Sequence, residues 1–169
     1  MVKWPDKQSI VQFALIIAVI IIIDFITKMI MLDLIFNPPR VITLLPILNL
    51  APVWNEGISF GLFQDGGDFI RLGISALAVA VVIWLFFQLP VLSKWQKLAA
   101  AFIGGGALGN VIDRIIYGKV VDFVDFHLGN WHYPAFNVAD STIFIGVIVW
   151  IITLWWDTKK AQPHEDEKG

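Results

Sequence analysis

Residues Ile10 to Leu32 read IVQFALIIAVIIIIDFITKMIML. A helix of about 20 apolar residues crosses the hydrocarbon core of a bilayer, and only Asp24, Thr27 and Lys28 interrupt this run. Its Ile and Val content does not argue for a strand, because strands rarely exceed about 8 residues. Outward from it, three segments have the same character: Phe69 to Leu89, closed by Pro90; Lys97 to Tyr117, with Gly118 as its stop; and Val138 to Trp156. The chain has 169 residues, 57% hydrophobic and 15% charged, with mean hydropathy +0.74. A soluble core of that length could not hide so much apolar surface. The expected fold is an all-α membrane protein with four transmembrane helices. Residues 1–158 form a single integral membrane domain, and 159–169 a polar, disordered tail. The first run is too long for a cleavable signal peptide, and Asp24 to Lys28 follows where a small-residue cleavage site would stand.

Orientation follows from Lys and Arg in the short flanks. Lys3, Lys7, Lys94, Lys97, Lys159, Lys160 and Lys168 fall on one side; Arg40, Arg71, Arg114 and Lys119 fall on the other. Both termini are therefore expected in the cytoplasm, with two outward connections, Asp33 to Asp68 and Gly118 to Phe136. The first holds an apolar stretch, Val41 to Val53, then the turn signal Asn55-Glu56-Gly57 and Phe60-Gly61-Leu62-Phe63. The second holds Lys119 to Phe126, which reads as a short strand. Pairing between the two connections predicts a small β-containing element on the extracytoplasmic surface.

Net charge is -2, so there is no basic footprint for nucleic acid. Cysteine is absent, which excludes disulfides, a thiolate nucleophile and Cys-ligated metal. The informative residues are the polar ones. Asp24 and Lys28 fall in the outer half of the first helix, and Asn110, Asp113 and Arg114 near the outer end of the third. Asn137 and Asp140 fall at the outer start of the fourth, and Asn55 and Asp122 in the outer connections. Ionisable groups in a bilayer are expensive and mark function, so their convergence points to an active site at the outer membrane surface.

Each residue also has a plain structural reading. Asp24 and Lys28, at i and i+4, can form an intrahelical ion pair. Gly104 to Gly106 fits close helix packing better than a phosphate loop. Asp113 and Arg114 can pair at the interface, and Asp140 can cap the fourth helix. Asp125, His127 and His132 match no metal-ligand spacing, so neither metal nor cofactor is expected. An ion-coupled carrier would place its charges near the midplane on broken helices. The combination favours an enzyme, because Asp122 and Asp140 come from different elements at one depth. Two close carboxylates share a proton, giving an acid and a base at the same pH. That suits amide hydrolysis without metal, serine or cysteine.

Five motifs occur in order: Asp24-Phe25-Ile26-Thr27-Lys28; Asn55-Glu56-Gly57-Ile58-Ser59-Phe60-Gly61; Gly105-Gly106-Ala107-Leu108-Gly109-Asn110-Val111-Ile112-Asp113-Arg114; Val121-Asp122-Phe123; and Phe136-Asn137-Val138-Ala139-Asp140. Together they resemble the lipoprotein signal peptidases, the bacterial type II signal peptidase family. The resemblance implies an aspartic endopeptidase of the bacterial plasma (inner) membrane. Its substrate would be a diacylglyceryl-modified prolipoprotein held in membrane lipid, cleaved just before the lipidated cysteine. Its inhibitor would be the cyclic peptide globomycin. By position the catalytic pair falls on Asp122 and Asp140. Asn55, Gly57, Asn110, Arg114 and Asn137 fall on positions that bind or orient the substrate, and Asp24, Lys28 and Asp113 on supporting ones. Asp125 is a rival to Asp122, but residues three apart on a strand face opposite ways, and the motif favours Asp122.

Overall fold

The computed structural model describes residues 4–57 and 67–161. Within them, helices α1 (Lys7–Ile35), α2 (Gly67–Gln88), α3 (Lys94–Tyr117) and α4 (Val138–Ala161) are joined by strands β1 (Ile42–Leu45), β2 (Leu48–Asn55), β3 (Val120–Leu128) and β4 (Trp131–His132). All four helices are long and apolar enough to cross a membrane. Large apolar side chains such as Leu15, Ile22, Leu77, Ile83 and Ile151 stand exposed on α1, α2 and α4. Water would penalise such a surface, whereas lipid tails solvate it.

Helix ends follow local chemistry. Asp6 caps α1 by accepting the Ser9 N–H at 2.8 Å. A capping box between Ser93 and Gln96 opens α3. Gly118 closes α3 with φ 74°, its N–H donating to the Arg114 carbonyl. A side chain there would be strained and would also meet the Arg71 guanidinium.

Helix α3 is the pivot and packs against α1, α2 and α4. Its small residues allow this: Ala99 to Ala101, Gly104 to Gly106 and Gly109 are all buried. A Cβ on Gly105 would come within 2.8 Å of Ile20, and one on Gly106 would strike the Ala139 carbonyl and the Thr142 hydroxyl. The glycine run is therefore a packing surface, and it seats the first turn of α4 directly on α3.

The outward connections form one antiparallel sheet in the order β1-β2-β3-β4. Asn55 pairs with Val120, Val53 with Asp122 and Asn49 with Asp125; a register shift lies between Leu50 and Val53. The sheet joins the bundle through Ile35, Val121 and Phe123, packed with Leu50, Tyr117 and Val138.

Several boundaries differ from the sequence reading: α3 opens at Lys94 instead of Lys97, and α2 spans Gly67–Gln88 instead of Phe69 to Leu89. α1 extends from Lys7 to Ile35, gaining a turn beyond the apolar run at each end. β3 continues to Leu128 because β4 returns against it. α4 runs through Asp157 to Ala161 instead of ending at Trp156, and there Lys159 lies over the Trp155 ring at 4.1 Å. The Ile58 to Gly61 part of the second motif, Phe60 to Phe63, and residues 162–169 of the expected tail lie outside the described residues.

Candidate active site

Asp122 is carried by β3 and Asp140 by the first turn of α4, and Asn137 joins them. Its Nδ2 donates to Asp122 Oδ1 at 2.8 Å, while its backbone N–H donates to Asp140 Oδ2 at 3.2 Å. Each carboxylate has a second amide donor. Asn55 Nδ2 reaches Asp122 Oδ2 at 2.9 Å, and Asn110 Nδ2 reaches Asp140 Oδ1 at 2.7 Å. All four carboxylate oxygens thus accept an N–H bond. Burial pushes the Asp122 carboxyl up, and the neighbouring Asp140 charge adds to this. Against the opposing pull of Asn55, Lys28 and Asn137, Asp122 rises to about 7. A proton held near neutrality beside a second carboxylate is the requirement for paired acid–base chemistry.

Asn55 is aimed by its own turn. Its Oδ1 accepts the Gly57 N–H at 3.1 Å, an Asx-type closure that leaves Nδ2 directed at Asp122. The Gly57 carbonyl in turn accepts Arg114 Nη2 at 3.0 Å. Arg114 Nη1 donates to the Asn110 carbonyl at 3.2 Å, and its Nε is buried without a hydrogen-bond partner among the described residues. Arg114 therefore ties the first connection to α3. The sequence option of an Asp113–Arg114 pair is not what forms: successive helical residues point about 100° apart. Asp113 instead turns inward to Lys28, with 2.8 Å between Lys28 Nζ and Asp113 Oδ2.

Lys28 also pairs with Asp24 at 2.7 Å, as their spacing suggests. Both carboxylates reach backbone as well. Asp24 Oδ1 accepts the Ala139 N–H at 2.8 Å, and Asp113 Oδ2 accepts the Val121 N–H at 3.0 Å. Sequence reasoning missed Ala139 and Val121 as partners. Every residue but proline carries an N–H, so no residue pattern marks these two.

Asp125 belongs to a separate cluster. It bonds His132 Nδ1 at 2.8 Å and Asn49 Nδ2 at 3.1 Å. Burial raises its carboxyl, but the His132 and Asn49 bonds outweigh this and hold it below the usual carboxylate range. The His127 and His132 rings stack at 5.2 Å. Among the described residues, no group of three or more His, Asp or Glu is arranged to hold a metal ion. A cavity of about 950 Å³ reaches Asp140, its walls mostly apolar and including Ile47, Phe126, Trp131, Tyr133 and Phe144.

A family model described as signal peptidase (SPase) II matches residues 16–156. The chain is 37% identical over 166 residues to a lipoprotein signal peptidase of Alteromonas mediterranea, covering 96% of this chain and 89% of that protein. It is 40% identical over 135 residues to one from Thermodesulfovibrio yellowstonii, covering 80% and 88%. A solved bacterial membrane enzyme, determined by the in meso method, aligns with TM-score 0.76 and 28% identity over 100% of this chain and 98% of that one. A second such structure gives TM-score 0.69 at 28% identity, covering 91% and 97%.

Proposed function

The chain belongs to the signal peptidase II family of lipoprotein signal peptidases, and from that premise we propose that it is an aspartic endopeptidase whose reacting groups are Asp122 and Asp140. Membership makes it a multi-pass membrane protease that removes signal peptides from lipoproteins. The finer reading places its substrate as a prolipoprotein already carrying diacylglycerol, cut just before the lipidated cysteine. It works in the bacterial inner membrane, termini in the cytoplasm and the pair at the outer face. Globomycin would occupy the same site and block the pair.

One observation carries the mechanism: the buried carboxyl of Asp122 and the part-buried one of Asp140 are joined through Asn137, and Asp122 is pushed up to about 7. Asp122 holds the shared proton and Asp140 is the base. Asp140 removes a proton from water as its oxygen bonds to the scissile carbonyl carbon, and Asp122 gives its proton to the carbonyl oxygen. In the second step Asp140 passes the acquired proton to the amide nitrogen, and the C–N bond breaks. Asp122 recovers its proton from the collapsing diol, so the pair ends as it began. The apolar cavity reaching Asp140 suits a substrate whose acyl chains remain anchored by about 0.8 kcal/mol per buried methylene.

The test is cleavage of diacylglyceryl-modified prolipoprotein in detergent by the parent, Asp122→Asn, Asp140→Asn and Asp125→Asn. Each active-pair variant should lose at least about 10²- to 10⁴-fold in kcat, and the double variant should be little worse than either, since interdependent groups are not additive. Asp125→Asn should retain substantial turnover, and EDTA should leave cleavage intact. Turnover by Asp140→Asn, or loss in EDTA restored by Zn²⁺, would overturn the reading.

A further inference from the structure

Lys28 is only 2% exposed, yet none of the steps above uses it. Its ammonium lies 2.7 Å from Asp24 Oδ2 and 2.8 Å from Asp113 Oδ2, and it donates to Asn110 Oδ1 at 3.2 Å. An ammonium has three donors, and these contacts can engage all of them. Each route leads to the reacting pair. Asp24 Oδ1 holds the N–H of Ala139, the residue immediately before Asp140. Asp113 Oδ2 holds the N–H of Val121, the residue immediately before Asp122. With its Oδ1 facing the ammonium, Asn110 turns Nδ2 the other way, onto Asp140 Oδ1.

We propose that Lys28 is a positioning residue: through Asp24 and Asp113 it grips the backbone before each aspartate, and so fixes the separation across which the pair shares its proton. The inference rests on Asp122 and Asp140 being that pair. Charge balance alone does not account for the arrangement. The pair with Asp24 already neutralises the cation, so Asp113 is a second buried carboxylate that neutrality does not require. Neutrality also gives no reason for both carboxylates to reach the peptides they do.

The atoms predict an order of effects. Asp24 uses different oxygens for Lys28 and Ala139, so asparagine at this position must release one of them, because an NH₂ group cannot accept. Asp113 receives both donors on one oxygen, so asparagine can keep both with its carbonyl. In detergent, with diacylglyceryl-modified prolipoprotein, Asp24→Asn should lower kcat about 10²-fold, the cost of a misplacement near 1 Å. Asp113→Asn should lower it only a few-fold, and Lys28→Met at least as much as Asp24→Asn. KM should move less than about twofold throughout, because a lost transition-state arrangement appears in kcat. Lys28→Met strands two buried carboxylates and can fail to fold. The neutral triple variant Lys28→Met/Asp24→Asn/Asp113→Asn removes that penalty, and the two single Asn variants carry the test without it.

A kcat that simply follows Tm across the series, and recovers in the neutral triple variant, would reduce Lys28 to a counter-ion and overturn the proposal. An Asp24→Asn enzyme no slower than Asp113→Asn would do the same. Asp122→Asn run alongside separates the two failures. Turnover by Asp122→Asn means that the reacting pair is wrong; an inactive Asp122→Asn beside a full-rate Asp24→Asn removes the positioning role alone.

Discussion

In the proposed mechanism Asp122 carries the proton on which the chemistry turns. Its folded-state pKa of about 7 lies above the value near 3.9 of an exposed aspartate. Between those values the folded state keeps a proton that the unfolded state has released. Stability contributed by this group therefore falls as pH rises through that window and levels off above it. Asn cannot lose the proton, so Asp122→Asn should raise Tm over the parent at about pH 8, with the gain shrinking away by about pH 4. Thermal unfolding in detergent at both pH values checks this, and an equal difference at both would contradict it. The proposed mechanism uses the same proton, so the parent's kcat/KM should decline on the alkaline side with an apparent pKa near 7. At this scale the sequence exposed the residue types, their motifs and the Asp24–Lys28 pair, but not the other partners. Nothing in the residue order distinguishes an Asp113 that pairs with Arg114 from one that pairs with Lys28, because that depends on which way the α3 surface faces.

The elements meet through missing side chains. Gly106 lets α3 touch the first turn of α4, where a Cβ would collide with the Ala139 carbonyl and the Thr142 hydroxyl. Overpacking of this kind costs about 1–3 kcal/mol, and the displaced turn carries Asp140. Gly106→Ala should therefore lower Tm and also reduce kcat, by about 10²-fold for a shift near 1 Å. Gly73 on α2 has nothing within 4 Å of where its Cβ would stand, so Gly73→Ala should leave kcat unchanged and hold or raise Tm, since alanine favours a helix interior over glycine. Cleavage kinetics and unfolding of the two variants make the comparison; equal effects would refute the contact. The long helices were legible from apolar length alone. Their ends were less so, since α1 and α4 run on into polar residues once backbone hydrogen bonds and caps sustain them. The strand around Asp122 and its pairing with the first connection were also legible, but the strand limits and register were not, because a β-ladder is made with a distant segment: Asn55 pairs with Val120, across α2 and α3.

At the scale of the whole molecule, four spans and two connections on one side bring Asp24, Lys28, Asn55, Asn110, Asp113, Arg114, Asp122, Asn137 and Asp140 to one end of the bundle. The Lys and Arg distribution predicts which end faces out. Asn130, in the turn between β3 and β4, and Lys94, at the start of α3, are both exposed. The chain has no cysteine, so each can be replaced by a unique one. A membrane-impermeant maleimide should label Asn130→Cys in intact spheroplasts and Lys94→Cys only after lysis; the reverse pattern would invert the topology and remove the pair from the substrate's side. The sequence by itself determined the solvent, the number of spans and the identity of the polar residues, because hydrophobic length and the cost of charge in lipid are properties of short segments. Only the tertiary structure decided that Lys28 lies between two carboxylates, that each of these holds the peptide before Asp122 or Asp140, and that Asn137 bonds to both aspartates. Those contacts join α1, α3, β3 and α4, and their existence depends on the close approach that the α3 glycines and the sheet register allow.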